Sequence, residues 1–405
     1  MTKYQQSLNL ALYGVLLSAI IGGLSFIFIF LESNLSHTLW NHLLGKPILI
    51  LLTTLFGGVL IGFLKNRWGN YPEVAHHTIS ELKQNQTVTY TPVLKNLTVA
   101  LIVLVFGAGV GPEAALLSSL VMLSVWQSDK LRYLFFQQEE FVTLKKTEQL
   151  KRMLHPTKYA QTYQKNLAPT HPNWKQLKIF INTLFVFNGL FAFTVLMKLT
   201  EQPSFISKMG TSNWELRDLL LFMPLVLVGL LAGKAYLLLK KQMKKIFNFW
   251  QNSPIKKALI GSLAISLIGI FLPSLLFSGQ TSLGQVPDKY LHYSMFFLLV
   301  VVLLKLVFLE VCLQTGWVGG DIFPIVFASI LFGFTLSQAF SSFDILFVTS
   351  VLASSMAITI IDSPIGVALF IALFFPVNIF PIILLVVLCF FIKKRLINKS
   401  LLSII

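Results

Sequence analysis

The stretch Leu313–Phe327, LQTGWVGGDIFPIVF, decides how this chain is to be read. It places glycines, an aspartate and a proline between two strongly apolar runs, residues 294–313 and 322–333. A second stretch of the same kind, Phe106–Leu116, FGAGVGPEAAL, separates apolar runs 97–105 and 114–126. Unpaired backbone amides are tolerated in lipid only where they line a cavity or meet a partner. Paired glycine- and proline-interrupted apolar segments in two halves of a chain point to a transporter's binding site.

The surroundings make the membrane reading firm. The 405 residues are 55% hydrophobic and only 12% charged, where a soluble protein carries about a quarter charged residues. Ala11–Leu31, Asn96–Trp126, Leu219–Leu239, Tyr293–Leu313 and Ile365–Ile392 all reach the ~20 apolar residues that a span requires. The fold class expected is therefore an all-α integral membrane protein, with a single transmembrane domain over 1–405. The net charge of +16 does not imply nucleic acid. The basic residues cluster at the ends of apolar runs, as in Lys240, Lys241, Lys244 and Lys245, in Lys256 and Lys257, and in Lys393, Lys394 and Arg395. That is the positive-inside pattern of cytoplasmic anchors.

Two polar intervals stand out. Gln127–Lys178 carries ten Lys or Arg against four Asp or Glu and reads as a cytoplasmic connection with some amphipathic helix. Lys65–Lys95 contains Pro72, Pro92 and the adjacent pair His76 and His77. Neighbouring histidines diverge on a helix, so no metal site is expected. Cys312 and Cys389 lie in apolar runs without ligand spacing and read as small core residues. No cofactor is implied. A weak correspondence between Phe187-Asn188-Gly189 and Asp362-Ser363-Pro364-Ile365-Gly366 suggests two structural repeats, roughly 1–215 and 216–405.

The interruptions suit an anion. Pro112 is placed to open a helix, and the amide N–H groups at such an end, with the positive pole of the helix dipole, attract negative charge. Gly319 and Gly320 open the backbone of the second break, where Pro324 is expected to start the helix and the amides of Asp321, Ile322 and Phe323 to face the gap. Glu113, in the first turn of the earlier helix, is a carboxylate at an anion site. It reads either as a gate that competes with the ion or as an ordinary first-turn acid, and within a membrane an ionisable residue is a functional candidate by default. Asp321 is expected to turn its side chain to solvent or a lysine. Asp362 reads as a helix N-cap, and Lys305 and Glu310 read either as functional groups or, ahead of that, as residues in charge pairing inside the bundle.

These motifs resemble the CLC family of chloride channels and proton-coupled chloride antiporters, over roughly residues 55–370. GWVGGDIFPIVFASILFG (Gly316–Gly333) is similar to the glycine-rich segment opening that family's late pore helix. GPEAA (Gly111–Ala115) is similar to its gating-glutamate segment, and GNYPE (Gly69–Glu73) to an early pore segment. SGQTSLGQV (Ser278–Val286) and FNGLFAFTVL (Phe187–Leu196) have counterparts as well. The resemblance implies a bundle of inverted repeats with broken, partly spanning helices, a homodimer, and transport of small monovalent anions, with chloride first and fluoride or another halide as the alternative. It implies Glu113 as the gate, or Val110 if the register slides to match Gly-Pro with Gly-Pro. Anion contacts fall on Gly69, Asn70, Gly111, Pro112, Gly319, Gly320, Asp321, Ile322 and Phe323. The serine of the early segment is replaced by Gly69 or Asn70, and no tyrosine follows Tyr293. The proton glutamate falls at Thr200, with Glu201 beside it as a possible proton path. A non-transporting scaffold and, remotely, an intramembrane enzyme remain as other readings; no central histidine supports the latter. The expected location is the plasma membrane of a bacterium.

Overall fold

The computed structural model describes residues 3–164, 174–202, 206–248 and 253–402; residues 165–173 of the polar connection lie outside this set. Among the described residues every regular element is helical. The chain opens with α1 (Lys3–Leu43), α2 (Pro47–Trp68), α3 (Ala75–Asn85), α4 (Val93–Val105) and α5 (Glu113–Phe136). The polar connection forms α6 (Gln138–Thr143) and α7 (Lys146–Leu154), and α8 (Trp174–Leu199) follows. Then come α9 (Phe222–Asn248), α10 (Pro254–Phe271), the short α11 (Gln280–Leu283) and α12 (Val286–Lys289), and α13 (Met295–Gln314). The chain continues through α14 (Ile322–Ser337), α15 (Ile345–Ile361), α16 (Pro364–Ala372) and α17 (Phe380–Leu402). Eight helical stretches among the described residues are long and apolar enough to cross a membrane, so the chain reads as a multi-pass membrane protein.

The chain divides into two compact units that alternate along the sequence. One comprises residues 1–38, 68–105 and 112–203; the other 39–67, 106–111 and 204–405.

In the first unit, the polar connection is tied down through backbone carbonyls. Tyr13 Oη donates to the Met153 carbonyl at 2.9 Å. Lys130 Nζ donates to those of Arg152 (3.0 Å) and His155 (2.7 Å). Each bond satisfies a carbonyl at a helix end, which has no partner of its own. Deeper in the unit, Asn96 on α4 is fully buried. Its Oδ1 accepts from the Glu73 amide at 2.6 Å, and its Nδ2 donates to the Ala115 carbonyl at 3.2 Å and to Ser119 Oγ at 2.9 Å. One side chain thus fixes the loop before α3 against α4 and α5.

In the second unit, α14 and α15 form the most deeply buried pair, with nearly every side chain of α15 inside. α9 lies on α15 through Gly229 and Gly233. A Cβ on either would sit 2.9 Å from a backbone carbonyl oxygen, of Leu352 and Met356 respectively. Small residues four apart let helix backbones approach closely where lipid supplies no hydrophobic drive.

Two sequence expectations change here. Asp362 does not cap α16; it ends α15 in the left-handed conformation, φ 54°. The sharp reversal into Ser363-Pro364 needs a residue that accepts that conformation, which short polar side chains do better than most. Of the charge pairing expected for Lys305 and Glu310, Glu310 finds Lys240 at 3.7 Å, but Lys305 has no carboxylate partner among the described residues, and the two do not pair with each other. Five residues apart on α13, they point ~140° apart around the helix. Lys305, fully buried, donates to the carbonyls of Leu275 (2.9 Å) and Phe277 (2.5 Å).

Asn96→Ala is expected to destabilise the protein by roughly 1–3 kcal/mol, because it removes the acceptor of the part-buried Glu73 amide and the buried bonds to the Ala115 carbonyl and Ser119. Thermal unfolding in detergent measures this, and an unchanged midpoint contradicts the account.

Candidate functional site

The two glycine-rich breaks meet. Gly111 N–H donates to the Gly320 carbonyl at 2.8 Å, and Gly320 N–H to the Gly111 carbonyl at 2.7 Å. This reciprocal pair is an isolated antiparallel bridge, the smallest unit of strand pairing, set between apolar helices. It answers the question of where interrupted backbone finds its partners.

Packing around the bridge explains the glycines. Both Gly319 and Gly320 are buried. A Cβ on Gly319 would lie 2.8 Å from Val110 Cβ and collide with its Cγ2. Val110 is itself fully buried. Gly109 donates its amide to Cys312 Sγ at 3.3 Å, so the first break is also held by α13. Gly316 adopts φ +96°, a left-handed turn that releases the chain from the end of α13. Trp317 then turns fully inward, and its indole Nε1 donates to the Ala258 carbonyl of α10 at 2.8 Å.

α14 begins at Ile322, with Asp321 as its N-cap residue and Pro324 third in the helix. The expectation that Pro324 starts the helix is therefore corrected by two residues. Proline is tolerated there because no amide in the first turn has an intrahelical acceptor. Likewise α5 begins at Glu113, with Pro112 immediately before it at φ −72°. The amides of Gly111 and Gly320 are committed to one another, so they are not the open donors anticipated from sequence. The first turn of α14 is where open donors are to be sought.

Asp321 makes no side-chain cap bond. Its carboxylate Oδ2 faces Lys240 Nζ of α9 at 3.6 Å, and the same ammonium lies 3.7 Å from Glu310 Oε1. Glu310 is fully buried; Tyr236 Oη donates to its Oε1 at 2.6 Å and Gln314 Nε2 to its Oε2 at 3.3 Å. Gly229, Gly233, Tyr236 and Lys240 are spaced four, three and four apart, which puts all of them on one face of α9. Sequence reasoning had read Lys240 only as a membrane anchor and had passed over Tyr236. The shared spacing with the two glycines was the available signal.

The remaining candidates lie elsewhere. Gly69 and Asn70 are exposed on the loop between α2 and α3, with Gly69 at φ +95°, in the first unit. Glu113 is half-buried at the start of α5. Glu201 is exposed just past α8, at φ 50°.

Gly319→Ala is expected to lower stability by about 1–3 kcal/mol, since the methyl must displace the Val110 side chain or the bridge beside it. Thermal unfolding in detergent checks this, and a neutral result would mean the bridge region is loosely packed.

A family model described as voltage gated chloride channel matches residues 176–393. No curated protein sequence matches the chain. Among solved structures, a CLC-type fluoride/proton antiporter aligns over 96% of this chain and 95% of its own, with TM-score 0.63 and 16% identity. A slow cyanobacterial Cl−/H+ antiporter aligns over 93% of each chain, with TM-score 0.65 and 15% identity. A eukaryotic CLC transporter aligns over 93% of this chain and 70% of its own, with TM-score 0.55 and 13% identity. Since the family model spans more than half of the residues and the shared fold nearly all of them, the chain belongs to the voltage gated chloride channel, or CLC, family.

Proposed function

We propose that this protein carries small monovalent anions, chloride first among them, across a membrane, and that the anion is held where the broken backbone opens into α14. The observation that carries the reading is the Gly111–Gly320 bridge. It joins two interruptions between apolar helices and leaves the first turn of α14 to present amide N–H groups and a positive dipole end. Donors of that kind hold an anion without a full counter-charge, which keeps binding weak enough for release. Asp321, Ile322 and Phe323 supply the backbone of this site, and Gly111, Pro112, Gly319 and Gly320 shape it. Gly69 and Asn70 are assigned to the same path through the resemblance of their segment.

Glu113, two residues along the chain from the bridge, acts as the gate: ionised it competes with the anion, and protonated it withdraws. Val110, the other residue the motif allows, is fully buried against Gly319, which favours Glu113. Proton exchange is part of the proposal, since two structural neighbours that align over more than nine-tenths of their own length are proton antiporters, of fluoride and of chloride; Glu201 remains the candidate for the second proton site. The protein is read as a homodimeric transporter of a bacterial plasma membrane, not as an enzyme.

The test is halide efflux from liposomes holding purified protein, chloride beside fluoride, with internal pH followed and Glu113→Gln compared. Chloride efflux with opposed proton movement is expected, and in the variant proton movement should fall to that of protein-free liposomes. Preference for fluoride would reassign the ion, and absence of efflux for every halide would contradict transport.

A further inference from the structure

The α14 end carries a contradiction: a site meant for an anion has a carboxylate, Asp321, at its N-cap. An acid in that position is favoured by the helix dipole, but it repels any second anion that approaches. The carboxylate is not spent on capping, since it makes no bond to the first-turn amides. It faces Lys240 instead, at 3.6 Å, with both side chains about two-fifths exposed.

Lys240 is not a loose surface cation that happens to pass nearby. On its other side lies Glu310 Oε1 at 3.7 Å. That carboxylate is fully buried and immobilised by Tyr236 at 2.6 Å and Gln314 at 3.3 Å. Tyr236 precedes Lys240 by one turn on the α9 face that Gly229 and Gly233 lock against α15. A long flexible side chain loses considerable rotamer entropy when held between two partners, and exposed single pairs return little for it. A buried, doubly hydrogen-bonded acid is an expensive thing to place in a membrane bundle. Together these features describe a tether that keeps one ammonium beside Asp321.

Resting on the transport reading above, we propose that Lys240 is a positioning residue for the transported anion: anchored by Glu310, it cancels the Asp321 carboxylate so that the α14 amides can accept a halide. Lys240 does not itself ligate the ion. Its effect is on the local field, which makes it separable from residues that touch the ion.

Halide flux in liposomes is measured across a range of chloride concentrations for the wild type, Lys240→Met, Asp321→Asn and the double variant. Lys240→Met exposes the carboxylate and is expected to raise the half-saturating concentration by roughly tenfold, with the maximal rate little changed. The double variant removes both charges and should return to within about twofold of the wild type. Raising ionic strength with an impermeant salt should shrink the Lys240→Met effect, which a packing defect would not do. Asp321→Asn alone leaves Lys240 uncompensated and should lower the half-saturating concentration below the wild-type value. It changes a part-exposed side chain and so keeps the inference open to refutation even if Lys240→Met does not fold. An unchanged half-saturating concentration in Lys240→Met, a failure of the double variant to recover, or an Asp321→Asn value at or above wild type overturns the inference while transport stands. Absence of halide flux in the wild type overturns both.

Discussion

The second unit depends on a pair of hydrogen bonds only 2.7 and 2.8 Å long, exchanged between Gly111 and Gly320. Each glycine sits where an apolar helix has been broken. In hydrocarbon, a break exposes amides and carbonyls that water cannot reach, at a cost of several kcal/mol per group. The bridge removes four of those groups from the account. Its neighbours follow as consequences. Gly319 must lack a side chain because Val110 fills the space beside it. Gly109 is fixed to Cys312, and Trp317 anchors the second break to α10. With the break held on every side, the first turn of α14 is the stretch proposed to receive an incoming anion.

Charge is handled by the same economy. Three ionisable side chains of this unit, Lys305, Glu310 and Asp321, interrupt otherwise apolar sequence, and each is answered by a different chemistry. Lys305 is surrounded by carbonyl oxygens, with the rings of Phe308 and Phe327 each 5.8 Å from its ammonium. Glu310 is held by hydroxyl and amide donors, with Lys240 nearby. Asp321 faces that same lysine. Buried charge is tolerated when it is hydrogen-bonded or paired, and the most distant of these partners, Lys240 and Asp321, lie 81 residues apart in sequence.

Much of this was legible beforehand, because it is written in local patterns. Apolar run length announced the membrane helices, and the glycine and proline interruptions at 106–116 and 313–327 marked the two breaks. The Lys partner of Asp321 was anticipated from electrostatics alone. What escaped lay in long-range pairing. A single backbone bridge between residues 111 and 320 leaves no periodicity in either segment. Charge pairing inside the bundle was expected of Lys305 and Glu310; Glu310 meets Lys240, whereas Lys305 is held by carbonyls of Leu275 and Phe277. Asp362 carried an N-cap residue type, but the reversal after α15 used its tolerance of positive φ instead. Tyr236 was hidden in an apolar helix and acquired meaning only through the stripe it shares with Gly229 and Gly233.

The central claim is that the broken backbone opening into α14 holds a dehydrated halide, and bromide anomalous scattering from crystals grown with bromide tests it most directly. The account predicts a peak within hydrogen-bond reach of the amides of Asp321 and Ile322, displaced when chloride replaces bromide. A map with no peak there, or with bromide confined to basic surface side chains, would contradict it.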